Sequence, residues 1–197
     1  MAVTIGKKLE SDFSDPLGML SDCHRRIERF LKVLIVLTGQ ARGTELNKEQ
    51  CHALETALRY FRVAAPMHTW DEEDSLFPLM RAKPSSQQHE AMRQLRALEA
   101  DHEAADAILQ EVEAFGWRWL KEGPLPAEAV RRLSLILHNL QVIYATHIHQ
   151  EDNEVFPLAA RLLGPSEIQA LGREMAIRHG FDPDRPNLRR QRPLGAA

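Results

Sequence analysis

Apolar residues recur at three- and four-residue intervals along four stretches of the chain, the spacing that lines one face of an α-helix. The first stretch carries Leu17, Leu20, His24, Ile27, Leu31 and Leu34 and ends near Gly39. Asp15-Pro16 just ahead of it reads as N-cap and first-turn proline, because proline's missing N–H costs nothing at a helix start. The second runs from about Lys48 with Leu54, Ala57, Phe61, Ala65, His68 and Glu72 on one face. Pro66 lies inside it and predicts a bend one turn before the histidine; Pro78 predicts a weakening or an end. After the linker Lys83-Pro84-Ser85-Ser86, with a serine as N-cap, the third carries Leu95, Leu98, His102, Ala105, Leu109 and Val112, fading before Gly116 or Gly123. Gly123-Pro-Leu-Pro126 is a break. The fourth then shows Leu133, Ile136 or Leu137, Leu140, Tyr144, His147 and Glu151, continuing toward Phe156-Pro157 and Leu163. Beyond Gly164-Pro165-Ser166, Glu167 to Arg178 read as a short fifth helix capped by Gly180. No segment alternates with period two, so no sheet is predicted. The expectation is an all-α chain: an irregular arm over residues 1–14, an antiparallel four-helix bundle over 15–163, a C-terminal helix over 164–180 and a flexible tail over 181–197.

The polar residues inside these stripes change the picture. His68-Thr-Trp-Asp-Glu72-Glu-Asp-Ser-Leu-Phe77-Pro78 returns as His147-Ile-His-Gln-Glu151-Asp-Asn-Glu-Val-Phe156-Pro157. Each copy sets a glutamate four residues after a histidine, so on a helix the imidazole and carboxylate project side by side, about 40° apart. The repeat extends backwards: His24 precedes His68 by 44 residues and His102 precedes His147 by 45. Self-similarity of this kind fixes architecture. It implies two helical hairpins related by a pseudo-twofold axis, each giving two histidines and a glutamate to one centre. Burying His24, His68, Glu72, His102, His147 and Glu151 unpaired is costly, since a desolvated carboxylate loses several kcal/mol even after relaxation. A bound cation resolves that conflict. A lone stripe histidine, or one His-x-x-x-Glu, is more often structural or solvated; two matched copies together are what point to a metal.

Other candidates rank below these six. Glu28 and Asp106 also lie four residues after a histidine, but position i+3 is apolar there (Ile27, Ala105), so the stripe leans away from them and toward outer-shell or exposed roles. His149 sits about 200° around the helix from His147 and faces outward. His52, His89, His138 and His179 read as surface or structural histidines. Tyr144 reads as core or pocket lining, Phe77 and Phe156 as packing residues, and Cys23 as a buried apolar side chain.

With 197 residues the chain suits one domain with a sizeable core. A net charge of −3 gives no bulk attraction to nucleic acid or anionic lipid. Phe30 to Leu37 is the longest apolar run and Lys32 interrupts it, so no membrane span is expected. The first ten residues lack an apolar signal core, and two cysteines, Cys23 and Cys51, are too few for a disulfide framework. Together these favour a cytoplasmic protein.

Four imidazoles and two carboxylates exceed what one structural zinc takes. They suit a pair of first-row ions bridged by the carboxylates, with iron leading and manganese or a mixed pair as alternatives. At these residues the chain resembles the hemerythrin-like, His-His-Glu cation-binding family: His24, His68-x-x-x-Glu72 with Leu76-Phe77-Pro78, His102, and His147-x-x-x-Glu151 with Val155-Phe156-Pro157. The resemblance spans roughly residues 15–160. It implies an up-down four-helix bundle around two iron ions, oxo- or hydroxo-bridged, with Glu72 and Glu151 bridging. Oxygen-carrying hemerythrins use five histidines where this sequence offers four, which leaves a coordination position for water or substrate and argues against reversible oxygen carriage. The same six residues look like those of di-iron proteins of iron–sulfur cluster repair, whose N-terminal cysteine-containing segment has no counterpart here. The leading expectation is binding of O2, NO or peroxide for sensing, scavenging or stress protection. Alternatives are iron donation or storage toward an acceptor or redox partner protein, and an interaction bundle with a structural metal. No acid, base or substrate pocket beyond the metal is legible, so enzymatic turnover stays open.

Overall fold

The computed structural model describes residues 11–83 and 88–182. All regular structure among them is helical: α1 (Pro16–Ala41), α2 (Lys48–Asp71), a π turn (Glu72–Leu76), α3 (Phe77–Arg81), α4 (Gln88–Glu122), α5 (Ala127–Gln150), a second π turn (Glu151–Val155), α6 (Phe156–Leu162) and α7 (Pro165–Arg178). Because α2 runs through its π turn into α3, and α5 through its own into α6, the described residues form five helical rods. The linker serines and most of the arm and tail lie outside the described residues, as does the His89 side chain.

Local chemistry sets the starts. The Asp15 carboxylate accepts from Gly18 N at 3.1 Å with Pro16 in the first turn. Asn47 and Gln50 exchange bonds at 2.9 and 3.0 Å in a capping box that opens α2. The interiors hold two surprises. Gly116 does not end α4; it sits against Leu58, whose Cδ1 would lie 2.7 Å from an added Cβ, so the missing side chain lets two helices approach. Termination falls to Gly123, at φ +88°.

The second surprise is proline. Pro66 leaves α2 unbroken, and Pro78 neither ends nor merely weakens its rod. Instead the turn ahead of each Phe-Pro widens: Phe77 N–H donates to Glu72 O and Phe156 N–H to Glu151 O, five residues back. A proline ring clashes with the carbonyl four residues earlier in an α-helix, and a wider turn relieves that clash while the helix continues. Both π turns begin on the glutamates of the repeat.

Each long helix packs on two others: α1 on α2 and α5, and α4 on the same pair. Buried apolar side chains form two clusters. One holds Ile27, Ala65, Ala105, Tyr144 and Ile148; the other holds Leu20, Leu76, Phe77, Leu98, Val155 and Phe156, with Leu171 and Met175 of α7. Along α1 and α4 the chain passes from the second cluster to the first, and along α2 and α5 from the first to the second. The polar residues of the repeat fall between them, in a layer sealed from both ends.

Candidate metal centre

The helical period turns all six polar stripe residues inward. His24, His68, His102 and His147 are at most 6% exposed, and Glu72 and Glu151 are fully buried. They converge: donor atoms of His24, His68, Glu72 and Glu151 all lie within 4.8 Å of one another, and those of Glu72, His102, His147 and Glu151 do the same. The two groups share both carboxylates and divide the histidines by hairpin, His24 with His68 and His102 with His147. Glu72 spans the pair, its Oε1 3.4 Å from His68 Nε2 and its Oε2 3.4 Å from His102 Nε2. Glu151 Oε2 stands 3.0 Å from His24 Nε2 and 3.1 Å from His147 Nε2.

These approaches are close but leave the donors unsatisfied. Both oxygens of each glutamate, and the Nε2 atoms of His24 and His102, are buried without a hydrogen-bond partner. Native interiors tolerate few such atoms, each costing about 1–3 kcal/mol. They face one another in two overlapping groups, an arrangement that a pair of divalent cations would satisfy. Nitrogen and carboxylate donors without thiolate suit first-row ions such as iron.

Acids on the outer side hold two of the four imidazoles, those of His24 and His102, while the Nδ1 atoms of His68 and His147 are buried without a hydrogen-bond partner. His24 Nδ1 lies 3.0 Å from Asp152 Oδ1, His102 Nδ1 2.7 Å from Glu73 Oε1, and His147 Nδ1 3.5 Å from Asp101 Oδ2. Asp152 and Glu73 each follow a glutamate of the repeat, and each orients the leading histidine of one hairpin, so the pseudo-twofold relation extends to these two acids. A carboxylate on the far nitrogen fixes the ring and makes it a better ligand. The sequence reading passed over these acids, although both copies of the repeat carry an acid directly after the glutamate.

Burial and the charges of the neighbouring groups set how these side chains titrate. Burial acts to discharge His24, but Asp152 and Glu151 outweigh it and raise its pKa to about 10. His102 is likewise raised to about 10 against burial, by Glu72 and Glu73. Burial and then the charge of Glu151 push Glu72 up to about 7. Burial opposes ionisation of Glu151 too, yet His147 and His24 hold it below the usual carboxylate range. Burial and the charge on His24 keep His68 neutral.

A cavity of about 10 Å³ adjoins the cluster, lined by the four histidines with Ile27, Thr69, Ala105, Asp106, Tyr144 and Ile148. That is close to the smallest space that admits one water. Tyr144 is therefore both buried and pocket-lining, and burial keeps its phenol protonated. Asp106 also borders the cavity, whereas Glu28 is exposed. His149, His52 and His138 are exposed, Phe77 and Phe156 are core, and Phe156 stacks on His24 with centroids 5.4 Å apart. Cys23 is buried and unbridged, and it accepts from Arg26 Nη2 at 3.1 Å. His179 has a structural partner, Asp71, at 2.7 Å.

The family model for the hemerythrin HHE cation binding domain matches residues 15–159. A protein of Haemophilus influenzae, described as an uncharacterized protein, is 33% identical over 76 residues, 38% of this chain and 44% of that protein. The match therefore spans less than half of that relative's length.

Proposed function

This chain belongs to the hemerythrin HHE cation-binding domain family, and on that footing we propose that it is a non-haem di-iron protein that binds a small ligand such as O2, NO or peroxide, for sensing, scavenging or stress protection. The observation that carries the reading is the pair of overlapping donor groups sharing Glu72 and Glu151. In it, His24 and His68 would hold one ion and His102 and His147 the other, with Glu72 and Glu151 common to both groups. Iron held there would supply redox chemistry toward a small ligand. The residues do the rest: Asp152 and Glu73 orient His24 and His102, the two apolar clusters exclude bulk water, and the cavity's size favours ligands of a few atoms. The reading takes the four long rods as an antiparallel up-down bundle, which the alternating order of the two clusters along α1, α2, α4 and α5 supports. Unbridged cysteines favour a cytoplasmic setting. No helix among the described residues is long and apolar enough to cross a membrane.

Protein purified without air and reconstituted with ferrous iron is expected to hold about two irons per chain and to gain a ligand-to-metal absorption band on oxidation. Elemental analysis with an optical spectrum checks this, and fewer than about one metal per chain would reject the reading. Asp152→Asn and Glu73→Gln are each expected to weaken metal binding by ~10- to ~100-fold while leaving the helical circular dichroism intact. A competitive chelator titration reads the affinity; wild-type values in both variants would exclude the acids from the site.

A further inference from the structure

The two halves of the repeat are not braced alike. Asp71, next to Glu72 and 1% exposed, is gripped from outside the repeat: Arg178 Nη1 donates to its Oδ1 at 2.5 Å, and His179 Nε2 lies 2.7 Å from its Oδ2. The other arm of the same guanidinium, Nη2, donates to Ser75 Oγ at 2.9 Å. Asp71 and Ser75 flank Glu72 on either side within one turn, so the planar fork of Arg178 straddles the first π turn, with all its partners buried. At the matching positions of the second copy stand Gln150 and Glu154. Glu154 is exposed and accepts only from Gln94 Nε2, at 2.8 Å, among the described residues. The second turn is held instead from within the bundle, where Ser21 Oγ donates to Asp152 Oδ1 at 2.8 Å beside His24 Nδ1, and no helix outside the repeat forks across it among the described residues.

We propose that α7 is a positioning element for the metal centre, in which Arg178 fixes the π turn bearing Glu72 through Asp71 and Ser75, while the turn bearing Glu151 relies on single contacts from within the bundle. A carboxylate that serves two ions must be held at one distance from both, and a widened helical turn ahead of a proline has exchanged its i→i+4 bonds for wider i→i+5 ones. The fork adds a restraint from a helix outside the repeat. It makes the two glutamates unequal: the turn of one is braced from outside the repeat, that of the other only by residues of the bundle. The inference rests on the metal-centre reading above for its functional half and on the contacts alone for its structural half.

Hydrogen–deuterium exchange followed by metal titration, on full-length wild type, Arg178→Ala and Arg178→Lys, tests it. In wild type, residues 72–77 are expected to exchange several-fold more slowly than 151–156. Arg178→Ala should abolish that difference by speeding the first turn only, and should lower metal affinity about tenfold. Lysine should restore part of both, since an ammonium reaches Asp71 but cannot span Asp71 and Ser75 together. Unchanged exchange at 72–77, equal acceleration of both turns, or a loosened first turn with wild-type metal affinity would each overturn the proposal. The exchange comparison needs no metal, so a wild type that bound none would sink the functional reading while the brace was still judged on exchange.

Discussion

Glu151→Ala is expected to reconstitute with almost no iron, whereas Glu28→Ala reconstitutes like the wild type and both keep their helical circular dichroism. Each glutamate lies four residues after a histidine on a buried-stripe helix, and in sequence the two look comparable. Their surroundings differ completely. Glu151 is fully buried and belongs to both donor groups, so removing it takes a ligand from both ion positions at once. It also leaves Glu72 as the single carboxylate facing two cations, which their mutual repulsion makes untenable. Glu28 is exposed on the outer face of α1 and enters neither group. Elemental analysis after reconstitution decides the matter. Equal loss in both variants would mean that the inward face of α1 has been misassigned, and retention of two irons by Glu151→Ala would remove the bridging role.

Much of this site was readable before any coordinates, because a helix's period decides which side chains turn inward. His24 and His102 carry no motif of their own, but each occupies a stripe position between apolar residues, Leu20 and Ile27 or Leu98 and Ala105, and the repeat supplies the matching partners His68 and His147. The same geometry kept Glu28 out. What the period does not carry is contact between helices. Nothing along α1 says that His24 will meet Asp152, because that pairing depends on how α1 and α5 are rotated against each other. Arg178 and Asp71 are separated by 107 positions and lie in segments of different character, so only the packing of α7 brings them together. The Phe-Pro pairs were legible as packing and interruption. That the chain would widen into a π turn and carry on depended on the apolar cluster beyond, where Leu76, Phe77, Val155 and Phe156 are buried and keep the rods intact past the prolines.

Metal removal should make the protein's stability sensitive to alkali. In the metal-free protein, His24 and His102 have folded pKa values raised to about 10, above the ordinary value of about 6.5. A group raised on folding contributes stability that is full below its unfolded pKa and is lost as pH climbs through the folded one. Both histidines therefore lose their contribution between about pH 6.5 and pH 10. Glu72, pushed up to about 7, loses its own at lower pH, so it adds little to the slope above neutrality. The depressed pKa values of Glu151 and Asp152 give a contribution already complete by then. Metal-free protein should accordingly melt at steadily lower temperature from pH 7 to pH 10. A cation displaces those protons and takes the nitrogens for itself, so the loaded protein has no such histidine transition left to lose. At a free metal concentration a thousand times the dissociation constant, one bound ion adds about 4 kcal/mol. For a chain of this size that corresponds to a Tm about 8–16 °C higher. Thermal melts of chelated and loaded protein at intervals across that range should diverge, the gap widening with each step toward alkali. Two curves that fall in parallel would mean that these imidazoles are not the groups the cation engages, whatever metal the protein is found to contain.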